Sequence, residues 1–208
     1  MRVLKKYLKN KVMLIIGTGG LGKEILGILI EDNYPNEIIF FDEDKNAPCM
    51  LYDKFQVIKS EKKLKALLKK NAEFITGVGH PRMREKVTLR LEKMGGILTP
   101  IISKRTSIFP FNEKYEGIII QPGVGISHNA KFGKCCAVHI NSTIGHSCEI
   151  GNFVNIGPNV SIIGPVCIGD YSYISAQATI LPHLTLGKNV VVTAGKVVNR
   201  NLNDFETF

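Results

Sequence analysis

The sequence lacks tryptophan and has no apolar run of the ~18 residues that a membrane-spanning helix requires. Its five cysteines follow neither the spacing of a zinc site nor that of a disulfide framework. No segment interleaves basic and aromatic residues in the manner of nucleic-acid-binding motifs. We therefore expect no stable membrane insertion, no metal and no nucleic-acid partner, and we expect reduced thiols in a cytoplasmic protein.

Acidic residues are the scarcer charge, with 18 Asp and Glu against 27 Lys and Arg, which gives a net charge of +9. The part after residue 110 holds six of each kind, so residues 1–110 carry the entire excess, 21 basic against 12 acidic. This distribution predicts that the N-terminal part meets the more anionic ligand. Residues 1–10 form a basic extension, either solvated or folded as one short amphipathic helix.

An apolar residue recurs at every sixth position through the C-terminal half. The series is Ile120, Ile126, Phe132, Val138, Ile144, Ile150, Ile156, Ile162, Ile168, Ile174, Ile180, Leu186, Val192 and Val198. The residue two positions before most members of this series is small, as at Cys136, Ser142 and Cys148. The residue directly after a member of the series is often glycine. A period of six fits neither an α-helix nor a single alternating strand.

A six-residue repeat is typical of a parallel β-helix, in which each hexad is one short strand and a turn. Three hexads complete a coil, so residues 18 apart are expected on neighbouring coils separated by about 4.8 Å. The bulky and the small residue of each hexad are then predicted to point inward. We assign residues 106–208 to this β-helix. The repeat predicts the fold but not a function, because a β-helix can also serve only as a scaffold.

The part before the repeats predicts an α/β nucleotide-binding unit over residues 11–105. A buried strand at Lys11–Ile16 leads into the glycine-rich turn 17–22, a helix at Glu24–Ile30 and a second strand at Glu37–Phe41 that ends in Asp42. This order is typical of a Rossmann-like βαβ unit. Further predicted elements are the strands Phe55–Ile58, Glu73–Val78 and Ile97–Ile102 and the helices Ser60–Lys70, with Ser60 as N-cap, and Pro81–Met94.

The glycine turn suggests a phosphate-binding site. Gly17 permits the tight turn, and Gly19 lets the backbone approach a phosphate at the start of the helix. Asp42 lies where a ribose-contacting carboxylate is expected. Because the unit is long enough for only one mononucleotide half, we expect a nucleotide ligand and not a dinucleotide.

Together, the two parts resemble the sialic acid O-acetyltransferase family of hexapeptide-repeat enzymes, which includes N-acetyltransferases of nucleotide-linked 4-amino sugars such as bacillosamine and perosamine precursors. The matching segments are IIGTGGLGK at 15–23, Phe41 with Asp42, Gly79 with Arg84, and NSTIGHSCEIGNFVNIGP at 141–158. The resemblance implies a left-handed β-helix, acetyl-CoA as cosubstrate and a homotrimer with the coenzyme arm between subunits.

The resemblance also implies roles for individual residues. His146 is implied as the general base, and the coenzyme contacts are Asn155, Gly164, Ala176 and Ala194. The acceptor contacts are Gly17, Thr18, Gly19, Gly20, Leu21, Gly22, Asp42, Asp44, Gly79 and Arg84. The chain departs from the family pattern at Leu21 and Asn155, where relatives often have histidine, at Ser147, where they commonly have an acid, and in lacking a Gly-x-Pro-Ala-Lys ending.

The repeat gives an independent argument for His146. Transfer from a thioester needs a base near neutral pH, and histidine is the side chain that titrates there. His146 follows the inward Ile144 by two positions, so it is predicted on an outward corner with His128 one coil away. A solvated surface histidine has the same signature. Ser147 is predicted to point away from the imidazole, because successive side chains on a strand-like segment alternate.

The leading hypothesis is an acetyl-CoA-dependent N-acetyltransferase that acts on a nucleotide-linked amino sugar, of the 4-amino-4,6-dideoxy class, in bacterial surface glycan biosynthesis. The alternatives are O-acetylation of sialic acid or another sugar hydroxyl, a metal-dependent β-helix hydratase, and a nucleotide-binding scaffold without catalysis. A hydratase would need three histidines at a subunit interface, and the spacing of His128, His139 and His146 does not suggest such a cluster.

Overall fold

The computed structural model describes residues 11–70, 72–110 and 115–208. The basic extension predicted at residues 1–10 lies outside this range. The chain divides into two compact units, of which unit 1 takes the chain up to Gly79 together with Lys86–Thr99, and unit 2 takes His80–Glu85 with Pro100–Phe208. No helix within the described ranges is long and apolar enough to cross a membrane.

Unit 1 is built on a six-stranded sheet in the order β3-β4-β2-β1-β5-β6, parallel except for the β3–β4 pair. Its strands are β1 Val12–Ile16, β2 Glu37–Phe41, β3 Met50–Leu51, β4 Phe55–Ile58, β5 Glu73–Thr76 and β6 Ile97–Leu98. The helices are α1 Gly20–Glu31, α2 Glu61–Leu68 and α3 Pro81–Lys93, of which residues 81–85 of α3 belong to unit 2. Met13, Leu14 and Ile15 in the central strand are fully buried, as expected for a parallel strand covered on both faces. Ser60 caps α2 by accepting a hydrogen bond from the Lys63 amide at 3.4 Å, as predicted.

Unit 2 is a prism of three parallel sheets. The first face holds β8 Ser107–Ile108, β10 Gly125–Ile126, β13 Thr143–Ile144, β16 Ser161–Ile162, β19 Thr179–Ile180 and β22 Val197–Val198. The second face holds β11 Lys131–Phe132, β14 Glu149–Ile150, β17 Val166–Ile168 and β20 Leu184–Leu186. The third face holds β7 Ile101–Ile102, β9 Ile119–Ile120, β12 Ala137–Val138, β15 Asn155–Ile156, β18 Tyr173–Ile174 and β21 Val191–Val192.

The strand register confirms the predicted 18-residue coil. Ile126 pairs with Ile144, and Ile144 pairs with Ile162 on the next coil. The inward columns form one continuous buried core. Ser142, one of the small inward residues, has hydrogen-bond partners inside this core. Its hydroxyl donates to the Gly157 carbonyl at 2.7 Å and accepts from the Val160 amide at 3.1 Å. The predicted fold class, a Rossmann-like domain followed by a left-handed parallel β-helix, is confirmed.

At the corners of the prism, the left-handed backbone conformation and the repeated glycine occupy different positions. The left-handed conformation falls on the third residue after the inward one, for example Ser147 (φ 55°) and Phe153 (φ 56°). The glycine directly after the inward residue is required for space. A Cβ on Gly145 would overlap the backbone of Gly164 on the next coil. We call the corners after the first, second and third faces the first, second and third corners.

The strand predicted at Ile97–Ile102 is two strands that belong to different sheets. Ile97–Leu98 pairs with β5 in unit 1, whereas Ile101–Ile102 pairs with β9 in the β-helix. Pro100 lies between them and has no amide hydrogen with which to continue a ladder. The β-helix therefore starts before residue 106, where the sequence had predicted its beginning.

The close approach of neighbouring coils leads to a stability prediction. A Cβ on Gly151 would lie 2.7 Å from the Asp170 amide nitrogen and 2.9 Å from the Gly169 carbonyl carbon. We expect Gly151→Ala to lower the free energy of unfolding by about 1–3 kcal/mol, measured by denaturant titration. Gly125→Ala is the matched control, because its Cβ would have only Thr143 Cγ2 nearby, at 3.9 Å. An equal loss in both variants would contradict the steric explanation.

Candidate functional sites

The glycine turn of unit 1 lies between β1 and α1. Gly17 has φ 100° and donates its amide to the Phe41 carbonyl at 2.8 Å, which ties the turn to the neighbouring strand. Gly19 occupies the N-cap position of α1 with no side-chain cap. A Cβ on Gly19 or Gly20 would have no neighbour within 4 Å. The first-turn amides of a 12-residue helix thus open onto free space, an arrangement suited to a phosphate.

Asp42 is held against this turn. One carboxylate oxygen accepts the Thr18 amide at 2.8 Å and the Thr18 hydroxyl at 2.6 Å, and the other accepts the Asp44 amide at 3.0 Å. Burial alone would raise the pKa of Asp42, but these hydrogen bonds and the Lys59 charge together lower it below its ordinary value. The anionic carboxylate therefore orders the turn in addition to any contact with a ribose.

A cavity of about 140 Å³ opens beside the turn, lined by Gly17, Asp42 and the apolar side chains of Phe41, Leu64 and Val78 among others. Its polar wall is a salt bridge between the Arg90 guanidinium and the Glu43 carboxylate, with a shortest N···O distance of 2.6 Å. Apolar walls beside a phosphate-binding turn suit the flat faces of a nucleobase.

Other predicted acceptor contacts fall into two groups. Gly79 is exposed, and Asp44 is exposed with one oxygen accepting the Asn46 amide at 2.9 Å. Leu21 and Gly22 are buried. The Leu21 side chain packs in the core, and Gly22 allows close packing, since its Cβ would overlap the Gly17 carbonyl oxygen. The Leu21 side chain is therefore unavailable to a ligand, and these two residues can contact a phosphate only through their first-turn amides.

Arg84 requires a larger correction. It lies in the segment that belongs to unit 2, and its side chain is only 1 % exposed. The guanidinium donates to the carbonyl oxygens of Cys135 at 2.9 Å, Phe153 at 3.0 Å and Val154 at 3.4 Å. These carbonyls lie at the second corner on successive coils, so Arg84 clamps the β-helix backbone. The expected contact between Arg84 and an acceptor is inconsistent with this burial.

His146 lies on the first corner and is exposed. Its ring stacks on that of His128 from the preceding coil, with centroids 5.3 Å apart and an interplanar angle of 9°. The predicted one-coil neighbour is thereby confirmed. On the following coil the matching position is Gly164, whose backbone lies against that of His146 so closely that a Cβ would overlap the His146 carbonyl oxygen. The His146 imidazole thus has an aromatic neighbour on the preceding coil, whereas the matching position on the following coil has no side chain.

The prediction that Ser147 points away from the imidazole is wrong. The Ser147 hydroxyl oxygen lies 3.4 Å from His146 Nδ1. The cause is the corner conformation, because Ser147 has φ 55° and does not continue the strand-like alternation on which the prediction was based. At 3.4 Å the hydrogen bond is long, so the hydroxyl is a weak partner for the ring.

The structure also gives a partner to Asn155. This side chain is 2 % exposed, and its oxygen lies 3.3 Å from His139 Nε2. The sequence suggested His139 only as a possible metal ligand. The signal that could have found it is its spacing, since a residue 16 positions earlier is a diagonal neighbour on the preceding coil. His139 and the predicted coenzyme contact Asn155 therefore form one polar pair.

The predicted coenzyme residues are not gathered around His146 within one chain. Gly164 shares the first corner with His146, whereas Asn155 belongs to the third face. Ala176 and Ala194 lie on the third corner, on consecutive coils, and Ala176 accepts a hydrogen bond from the Gly195 amide at 3.0 Å. One copy of the chain thus carries His146 and the predicted coenzyme residues Ala176 and Ala194 on two different edges of the prism.

The inward thiols are not candidates for nucleophilic chemistry. Burial raises the pKa of Cys136 to about 12 and that of Cys148 to about 11. Both therefore remain protonated and pack as small apolar side chains. Across the described part of the chain, no three His, Cys, Asp or Glu side chains group as a metal site.

Two family descriptions match separate parts of the chain. Residues 12–91 match the PglD N-terminal domain. Residues 147–182 match the bacterial transferase hexapeptide, six repeats. The first match covers the glycine turn and Asp42, and the second begins directly after His146. The two descriptions agree with the two kinds of architecture seen in the structure.

Among curated proteins, the chain is 28 % identical over 172 residues to the GDP-perosamine N-acetyltransferase of Escherichia coli O157:H7, covering 80 % of this chain and 76 % of that protein. Its fold is similar to that of perosamine N-acetyltransferase from Caulobacter crescentus in complex with CoA and GDP-perosamine (TM-score 0.86, 24 % identity, 94 % and 91 % coverage). It is also similar to the acetyltransferase domain of PglB from Neisseria gonorrhoeae in complex with acetyl coenzyme A (TM-score 0.88, 24 % identity, 95 % coverage of both chains). The chain therefore carries one segment similar to the PglD N-terminal domain and one similar to the bacterial transferase hexapeptide, and over most of its length it is similar to a sugar N-acetyltransferase.

Proposed function

We propose that this protein transfers the acetyl group of acetyl-CoA to the amino group of a nucleotide-linked amino sugar, of the 4-amino-4,6-dideoxy class, in the synthesis of a bacterial surface glycan. The observation that carries the proposal is the exposed imidazole of His146 on the first corner, stacked on His128 and backed by Gly164. The named activities of the relatives, N-acetylation of GDP-perosamine and binding of CoA, support the same reaction.

The acceptor is assigned to unit 1. The free helix-terminal amides beyond Gly19 suit its phosphates, and the cavity beside Asp42 suits the nucleoside. The net positive charge of the N-terminal part favours an anionic ligand. A free sugar acid would use neither the glycine turn nor the cavity, which favours a nucleotide-linked acceptor.

The proposed chemistry requires one base. The neutral amine attacks the thioester carbonyl carbon, and a C–N bond forms while the carbonyl electrons move to oxygen. His146 Nε2 takes the amine proton, because Nδ1 faces the Ser147 hydroxyl. When the tetrahedral intermediate collapses, the C–S bond breaks with its electron pair on sulfur, and the imidazolium returns the proton to the departing thiolate.

We further propose that the active form is a homotrimer. Within one chain, His146 lies on the first corner while Asn155, Ala176 and Ala194 lie along a different edge. A second copy that sets its third corner against the first corner of its neighbour would bring the two sets together, and three copies close this head-to-tail contact into a ring. The coenzyme arm is assigned to that junction.

The alternatives receive less support. O-acetylation needs the same base, but the curated relative that spans most of this chain is an N-acetyltransferase. A metal-dependent hydratase would need three histidines at a subunit interface, and the spacing of His128, His139 and His146 does not suggest such a cluster. A scaffold gives no reason for an exposed stacked imidazole beside a glycine. Five free cysteines agree with the reducing cytoplasm that we propose as the location.

The base assignment predicts the effect of two substitutions. His146→Ala should lower kcat by about 10²–10⁴-fold, since a positioned base contributes about that much, and leave the affinity for acetyl-CoA intact. Ser147→Ala should lower kcat less than about fivefold, since its hydrogen bond to the ring is long. Thiol release from acetyl-CoA with GDP- and UDP-linked amino sugars measures both. Near-normal turnover of His146→Ala would exclude His146 as the base.

The assignment of the acceptor to unit 1 predicts that a substitution in the glycine turn changes the acceptor KM without changing the affinity for acetyl-CoA. Gly19→Val places a side chain in the open space where the phosphate is expected and meets no protein atom within 4 Å. The acceptor KM should rise at least about tenfold while acetyl-CoA affinity is unchanged. Gly27→Val, at an equally open position further along α1, is the matched control and should leave the acceptor KM unchanged. Loss of acetyl-CoA affinity in Gly19→Val alone would reverse the assignment of the two units.

The assembly prediction concerns mass in solution. Light scattering should give close to three times the chain mass of 23.0 kDa. A chain that remains monomeric at assay concentration and is fully active would contradict a site built from two copies.

A further inference from the structure

The first corner carries an aromatic stack over three successive coils. The His128 ring contacts the edge of Phe109, with centroids 5.8 Å apart and an interplanar angle of 66°, and lies parallel to His146 on its other side. The Ser147 amide donates to the His128 carbonyl at 3.0 Å, which holds the two corners in register. The three rings thus form a row that ends at the imidazole assigned to catalysis.

An exposed imidazole has few constraints of its own. Rotation about two side-chain bonds moves Nε2 through several positions, and only one orientation directs its lone pair at the acceptor nitrogen. Such a ring is commonly fixed by a carboxylate or carbonyl on the other nitrogen. Here that partner is the Ser147 hydroxyl at 3.4 Å, which is too long a bond to hold the ring strongly.

Parallel stacking supplies the missing constraint. A ring lying within 9° of the His146 plane permits sliding but opposes tilting. Phe109 limits the movement of His128 in turn, because its ring packs edge-on against the imidazole. Gly164 leaves the following coil without a side chain at the position that matches His146, so the stack acts from one side only.

We propose that His128 is a positioning residue for the reaction, which orients the His146 base through ring stacking and neither binds substrate nor carries a proton. This inference rests on the proposed function of His146. Stacking of two rings contributes enough to populate the productive orientation roughly three- to tenfold more than a free side chain would. Phe109 supports the same orientation through His128.

The kinetic experiment uses three variants of the full chain. His128→Ala should lower kcat about three- to tenfold, with both KM values and the unfolding midpoint unchanged. His128→Phe keeps an aromatic ring but no titratable nitrogen, and it should recover kcat to within about twofold of the original enzyme. His183→Ala, which removes an exposed imidazole two coils further along, is the control for the loss of a surface histidine and should leave kcat unchanged.

A double variant tests whether His128 acts through His146. Adding His128→Ala to His146→Ala should cause no further loss, because the group being oriented is already absent. If His128→Phe is as slow as His128→Ala, or if the double variant loses another factor of about three or more, His128 has a role of its own and positioning is excluded. An unchanged kcat in His128→Ala also excludes it.

A second readout does not depend on turnover. In protein with ¹³C-labelled histidine rings, the His146 Cε1–H resonance should carry a ring-current shift that collapses towards the free-histidine position in His128→Ala and persists in His128→Phe. An unaltered resonance in His128→Ala would overturn the inference. If His146→Ala itself keeps normal turnover, the proposed function fails and with it any catalytic role of His128, while the resonance still reports whether the stack orders the ring.

Discussion

The structure of unit 2 depends on the distance between successive coils. Parallel ladders join each strand to the residue 18 positions later, and the amide after each inward residue bonds to the coil above, as Gly145 does to Ile162 at 2.8 Å. Where a glycine follows the inward residue, as at Gly145 and Gly151, the neighbouring coil leaves no room for a side chain. The left-handed residue that turns the chain comes two positions later. The 18-residue coil, the repeated glycines and the left-handed corner residues are therefore all consistent with the short distance between coils.

The same constraint explains why most of the fold was predictable. A period of six with apolar and small residues in fixed phase predicts a parallel β-helix with these residues inside, and the buried columns agree with it. Strands Glu37–Phe41 and Phe55–Ile58 and the Ser60 cap were also predicted correctly, because their signals are local. The error at Ile97–Ile102 arose because apolar content does not reveal the sheet in which a strand pairs.

Those features of the site that follow from the 18-residue spacing of the coils were predictable. Those that depend on the orientation of individual side chains were not. The neighbour of His146 was found because 18-residue spacing identifies it. The orientation of Ser147 and the partner of Asn155 depend on corner dihedral angles and a diagonal contact, which composition does not encode. Arg84 is a further case, since a charged residue in a motif suggests a ligand, whereas here three backbone carbonyls surround it.

The position of His146 between His128 and Gly164 affects how the sequence around this side chain can change during evolution. Each wall of the site comes from a different coil, so it is encoded 18 residues away in either direction. An exchange of the outward side chain at position 128 alters one wall and leaves the inward columns and the ladder intact. The surroundings of the His146 ring can thus be exchanged one coil at a time without a change in the core of the β-helix.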